Sequence, residues 1–158
     1  MRVYLVRHGK AAREGYATDE ARPLTKRGRG DAERIAAQVA RAQIEIQQIR
    51  HSGVLRAQQT ADIFAQAIRP TGGVVRVPGL LWDDPVEAWV QALPAESAPV
   101  MLVGHNPFME ELASLLLTGS PDGAPVHFTT SGTACLEYMG GRWALRWMLN
   151  PEIVPGKE

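Results

Sequence analysis

Two histidines stand out by what precedes them. His8 follows the apolar run Val3–Val6 within Arg7-His8-Gly9, and His105 follows Val100–Val103 within Gly104-His105-Asn106-Pro107. A short apolar run rich in β-branched residues reads as a buried strand. Each imidazole therefore stands just past a strand's carboxyl end, beside a glycine that lets backbone approach closely. In an open α/β sheet, ligands gather in the crevice outside those ends. Arg7 adds a planar guanidinium, poorly suited to a core and well suited to gripping a tetrahedral oxyanion. Arg56, in Ser52-Gly53-Val54-Leu55-Arg56, falls in the first turn of a helix expected after another strand. A cation there opposes the helix dipole, whereas an anion shared by that terminus and Arg56 reverses the sign.

The elements that must position these groups alternate. Strands are expected at Val3–Val6, Ile46–Arg50, Val74–Val77 and Val100–Val103. Thr25 offers an N-cap for an amphipathic helix over about 26–42, with Ile35, Val39 and Ala42 on one face. Val54–Ile68 reads as a helix stopped by Pro70, and Pro85 opens another that holds Val86, Trp89, Val90 and Leu93. Asn106-Pro107 reads as a cap and first helical position. Thr133–Met139, Gly140-Gly141 and Arg142–Leu149 read as a two-residue β-hairpin. The expected fold is α/β: three layers, α/β/α, with a mostly parallel central sheet and a C-terminal antiparallel hairpin. The 158 residues are expected to form a single domain over 1–150, with an extended tail over 151–158.

Composition narrows the function classes. Lysine plus arginine number 17 and aspartate plus glutamate 17, so no general basic coat for nucleic acid exists, although a local cationic pocket remains open. Cys135 is the single cysteine, which excludes an intramolecular disulfide framework; inside an expected strand it reads as a small buried hydrophobe. The apolar start is too short for a secretory leader and no stretch is long enough to span a bilayer, so the chain reads as cytoplasmic, with no membrane partner.

Arg-His-Gly at 7–9, Ser-x-x-x-Arg-x-x-Gln-Thr at 52–60 and Gly-His at 104–105, in that order and each at a strand end, resemble the histidine phosphatase superfamily. The chain's length and the stretch Asp19-Glu20-Ala21-Arg22-Pro23-Leu24-Thr25-Lys26-Arg27-Gly28 look like its SixA-type phosphohistidine phosphatases, and the resemblance runs from Met1 to about Leu149. It implies that His8 is the nucleophile, that Arg7, Arg56 and His105 surround the phosphoryl group, and that Arg22 bends in from its loop. Asn106 adds a backbone donor at its helix terminus. Neighbouring guanidiniums disfavour imidazolium, keeping His8 unprotonated near neutral pH, and they stabilise the oxygens of the transferring group. Guanidiniums can do this without a metal; no carboxylate constellation for magnesium is seen, and no cofactor is expected.

Larger members of the superfamily place a carboxylate after the third strand. Here that stretch is Pro78-Gly79-Leu80-Leu81-Trp82-Asp83-Asp84-Pro85, so the general acid is Asp83, Asp84 or neither, and Asp84 before Pro85 also suits an N-cap. Phosphohistidine needs such an acid less than an oxygen ester does, because its leaving nitrogen can already carry a proton. The leading substrate is therefore phosphohistidine on another protein, with a small phosphate ester as the alternative. A non-catalytic phosphoanion-binding adaptor and a histidine zinc site are the rivals of other classes. The oligomeric state is left open. Lys10 reads as solvent-exposed, His51 and His127 as structural, and Trp82, Trp89, Trp143 and Trp147 as core or hairpin packing, with Trp143 and Trp147 on one face of their strand.

Overall fold

Val3, Leu5 and Val6 are fully buried and Tyr4 nearly so, as expected for a strand covered on both faces. In the computed structural model, which describes residues 1–123 and 126–156, this strand is β1 (Arg2–Arg7). The chain continues through α1 (Lys26–Arg41), β2 (Gln48–His51), α2 (Leu55–Ile68), β3 (Val74–Arg76), α3 (Glu87–Ala92), β4 (Val100–Gly104), α4 (Phe108–Thr118), β5 (Thr133–Met139) and β6 (Arg142–Leu149). The strands form one six-stranded sheet in the order β3-β2-β4-β1-β5-β6. The first four in that order are mutually parallel, β5 runs antiparallel to β1, and β6 antiparallel to β5.

Alternation along the strands divides the core. Tyr4, Val6, Ile49, Met101 and Val103 pack with α1 and α2 residues such as Ile35 and Phe64 on one face. Val3, Leu5, Val100 and Leu102 pack with Phe108, Met109 and Leu112 of α4 on the other. The three-layer α/β/α expectation with a mostly parallel sheet is met. The helix following β1 therefore covers one face, and the helix following β4, its neighbour in the sheet, covers the other. Adjacent strands whose connections leave toward opposite faces open a crevice at their carboxyl ends, and Arg7 stands opposite Gly104 in the register there.

Thr25 caps α1 as expected, its Oγ1 accepting from the Gly28 N–H at 2.9 Å. Gly140 and Gly141 both take positive φ, the geometry a tight hairpin turn demands. Three expectations need correction. Asn106 does not cap α4; Pro107 holds that position, and the Asn106 amide instead donates to the Phe128 carbonyl at 3.0 Å. Trp143 and Trp147 lie on opposite faces, because a bulge beside Cys135 and Leu136 inserts a residue and reverses the alternation. Pro151–Ile153 forms a 3₁₀ turn, and Val154 is buried in the α1/α2 core, so this segment is docked rather than extended.

Candidate active site

The ends of β1, β2 and β4 bring the sequence-derived candidates together. His8 and His105 leave adjacent strands, the His8 N–H donates to the Gly104 carbonyl at 2.9 Å, and the ring centroids lie 5.0 Å apart. His8 Nδ1 lies 2.7 Å from the Gly9 carbonyl oxygen. A carbonyl only accepts, so Nδ1 carries the proton and Nε2 keeps its lone pair. Gly9 is required where it stands: an added Cβ would sit 3.0 Å from Leu24 and 3.1 Å from both the Gly28 carbonyl and Ser131 Oγ. Its N–H donates to Thr60 Oγ1 at 3.0 Å, and that hydroxyl donates to the Arg56 carbonyl at 2.7 Å. The nucleophile candidate is thereby tied to the helix that carries Arg56.

A cavity of about 480 Å³ opens at His8 and is lined by Arg7, Arg22 and Arg56. Arg56 is only 4% exposed although it carries a charge. Its guanidinium donates to the Asp19 carbonyl at 2.9 Å and to Asp19 Oδ2 at 3.0 Å. Arg22 holds the other oxygen of the same carboxylate at 3.0 Å and donates to the Ala12 carbonyl at 2.9 Å. Asp19 thus bridges two of the three arginines. Burial alone would raise its pKa, but hydrogen bonding and charge from Arg56 and Arg22 hold it below the ordinary carboxylate value. Arg7 donates to the Phe128 carbonyl at 3.0 Å, the oxygen that also receives the Asn106 amide. Asn106 therefore reaches the site through Arg7's anchor. Arg7 Nε, Arg56 Nε and His105 Nδ1 are buried and lack a hydrogen-bond partner among the described residues. Such orphaned groups cost about 1–3 kcal/mol each unless something satisfies them.

Burial, more than charge, sets the imidazoles' protonation. Desolvation is the largest cause that lowers His8 to about 4; the hydrogen bond to Gly9 acts against it, and Arg56, Arg7 and Arg22 add to the lowering. Desolvation also leads for His105, lowered to about 3, with His8 and Arg56 contributing. The sequence pointed to guanidinium repulsion alone. Both rings are neutral at pH 7.

Asp19 carries no functional signal of its own in the sequence, whereas Ser52 opens the second motif, where it reads as a helix cap ahead of a phosphate contact, and Trp82 reads as packing. Ser52 Oγ lies 2.8 Å from His105 Nε2, so Ser52 touches an imidazole rather than simply capping α2. Trp82 is no core residue: its ring meets His105 edge-on at 5.5 Å, and Arg56 lies 6.0 Å from the ring centre. Asp19, three residues before Arg22, offered only an ordinary charge spacing. Asp83 is exposed and absent from the lining of the His8 cavity, and Asp84 accepts from the Leu81 N–H at 2.8 Å, closing a turn rather than capping α3. His51 Nδ1 accepts from the Gly53 N–H and His127 contacts Glu110, both away from the His8 cavity lining. Among the described residues, no cluster of three or more histidine, cysteine or acidic side chains could hold a metal, and no helix is long and apolar enough to cross a membrane.

Comparison with known proteins identifies the fold and the family. Residues 3–80 match the histidine phosphatase superfamily (branch 1). The chain is 30% identical over 156 residues to the phosphohistidine phosphatase SixA of Escherichia coli, covering 96% of this chain and 94% of that protein. It superposes on a protein histidine phosphatase SixA solved with tungstate, with a TM-score of 0.85, 29% identity, and coverage of 96% and 97% of the two chains. A phosphoserine phosphatase of Entamoeba histolytica, 16% identical over 93% of this chain and 95% of its own, shares the fold at a TM-score of 0.66.

Proposed function

Because the chain belongs to the histidine phosphatase superfamily and is a phosphatase, we propose that it removes phosphoryl groups from phosphohistidine on other proteins, through a covalent intermediate on His8. The observation that carries the reading is the His8 tautomer. The 2.7 Å contact of Nδ1 with the Gly9 carbonyl leaves Nε2 as the free nucleophilic nitrogen, and burial keeps it unprotonated at neutral pH.

The reaction follows in two displacements. His8 Nε2 attacks phosphorus in line, forming a new P–N bond as the substrate's P–N bond breaks. The leaving imidazole, already protonated on its other nitrogen, departs neutral and needs no acid from the enzyme. Water then attacks the phosphoryl group on His8; the P–N electron pair returns to Nε2, and the water's proton leaves with phosphate or solvent. Arg7, Arg22 and Arg56 neutralise the equatorial oxygens throughout, the service guanidiniums render in phosphoryl transfer. His105 contributes its buried Nδ1 to the same oxygens, and Asn106 steadies Arg7 through the shared Phe128 carbonyl. An oxygen ester, whose leaving oxygen must gain a proton, would need an acid such as Asp83, which stands exposed and outside the His8 cavity lining; phosphohistidine makes no such demand.

Similarity to the E. coli phosphohistidine phosphatase over nearly the whole of both chains supports this substrate class, and tungstate in the solved relative is a tetrahedral oxyanion of the shape the arginines suit. The test is a trapping experiment with ³²P-labelled phosphohistidine protein. Rapid quenching should capture label on the protein, stable to alkali and labile to acid, and His8→Ala should carry none. Label bound reversibly without a covalent adduct would reduce the chain to an adaptor. Turnover confined to small esters would replace the substrate class and keep the mechanism.

A further inference from the structure

The cavity at His8 is larger than a phosphoryl group requires, and its outer half has a distinct composition. Beyond Arg7, Arg22 and Arg56 it is lined by Lys10, Arg13 and Arg27, facing the single carboxylate of Asp31. A neighbouring cavity of about 250 Å³ shares Arg27, Asp31 and Thr130 with it and adds Arg34 together with a second carboxylate, Glu152. The two form a trough leading from His8 along the first turns of α1. The chain as a whole carries no net charge, so this concentration is a matter of placement.

Internal ion pairs leave much of that charge unanswered. Asp19 engages Arg22 and Arg56. Asp31 lies 3.0 Å from Arg34 and only 3.8 Å from Arg27, whose side chain is 76% exposed. Lys10 and Arg13 are exposed and meet no carboxylate at ion-pair distance among the described residues. Exposed cations like these hold little for stability, but grouped beside a reaction centre they raise the encounter rate with an oppositely charged surface and fix its orientation. The phosphoryl group itself is met by the inner arginines. Lys10 and Arg13, and Arg27 beyond its long contact with Asp31, are left free to meet negative charge carried next to it.

We infer that Lys10, Arg13 and Arg27 form a docking rim for a patch of aspartates and glutamates around the target phosphohistidine, so that the enzyme selects its protein substrate by the acidity of the surface that displays it. This rests on the phosphohistidine reading above and adds a partner chemistry to it. The outer cations touch the acidic neighbours and leave the reacting phosphorus to the inner group.

The experiment uses two synthetic peptides, each with one phosphohistidine, flanked in one by aspartate and glutamate and in the other by asparagine and glutamine. The wild-type enzyme should hydrolyse the acidic peptide with kcat/KM about tenfold higher at low salt, and the preference should shrink as salt screens it. K10Q/R13Q/R27Q should lose the preference through KM, while kcat on an aryl phosphate, saturating and at high salt, stays near wild type. Equal rates on both peptides, a preference indifferent to salt, or a triple variant that loses aryl phosphate turnover as severely would overturn the rim. The salt series on the wild-type enzyme keeps the question decidable should the triple variant fold poorly. If neither peptide turns over while phosphate esters do, the phosphohistidine reading falls and the rim with it, a pattern distinct from loss of the preference alone.

Discussion

Ser52 shows what a single hydroxyl contributes to the site. Its oxygen accepts weakly from the Val54 N–H at 3.4 Å and lies 2.8 Å from His105 Nε2. With its lone pair turned to the backbone, the hydroxyl donates to Nε2, and the imidazole's one proton is assigned to Nδ1, the buried atom that has no partner. Ser52→Ala removes that assignment and leaves Nε2 buried and bare. A cost of about 1–3 kcal/mol for such a group corresponds to roughly a ten- to hundredfold fall. The fall should appear in kcat, with KM little changed and Ser52→Thr restoring most of it; a variant that lost only stability would contradict the assignment. At this scale the sequence was informative where a residue type is rare in its setting: a histidine and an arginine just past a buried strand have few structural uses. It was uninformative for Ser52, Asp19 and Trp82, which have many. Their involvement depends on side chains 23 to 53 positions apart meeting, as Trp82 meets His105, Arg56 meets Asp19 and Ser52 meets His105.

Helix α1 lies close to the loop after β1, where the N–H of its cap Thr25 donates to the Lys10 carbonyl at 2.9 Å and the two segments share the cavity rim. Two glycines in its first half divide the evidence for this closeness. At Gly28 an added Cβ would run into the Lys10 carbonyl, whereas at Gly30 it would meet nothing within 4 Å. Replacing glycine by alanine inside a helix stabilises by about 0.5–1 kcal/mol. Gly30→Ala should therefore raise the thermal midpoint by about 1–4 °C. At Gly28 the obstacle is backbone on both sides, a clash costing about 1–3 kcal/mol, so Gly28→Ala should lower the midpoint despite the same gain in propensity. Equal shifts at the two sites would show that α1 is free to move. Element types were readable throughout, since apolar period and capping chemistry agreed, as at Thr25 and at Gly140-Gly141. The misread details share one cause. The bulge in β6, the anchoring of Asn106 and the docking of Val154 are each decided by a partner distant in the chain, and no local pattern records them.

For the molecule as a whole, the depressed imidazoles make stability a function of pH. His8 and His105 titrate near 4 and 3 in the folded protein and near 6.5 when unfolded. Between those values the unfolded chain binds protons that the native one does not, so stability is complete above about pH 6.5 and declines as pH falls toward 4. The thermal midpoint should be lower at pH 5 than at pH 7, and His105→Asn should reduce the difference; a midpoint unchanged across that interval would show that the rings titrate normally. The fold class was legible because strand and helix alternate cleanly, and the crevice followed from where the alternation changes sides. The charge distribution was not, since a net charge of zero conceals seven arginines and lysines around two adjoining cavities. Asp19 gives that crowd a further property. An oxyanion arriving at Arg56 and Arg22 meets guanidiniums that a carboxylate already engages, and competes with it for them. The two guanidiniums are therefore never left facing each other unanswered, and an anionic product is held against a standing competitor rather than by free cations.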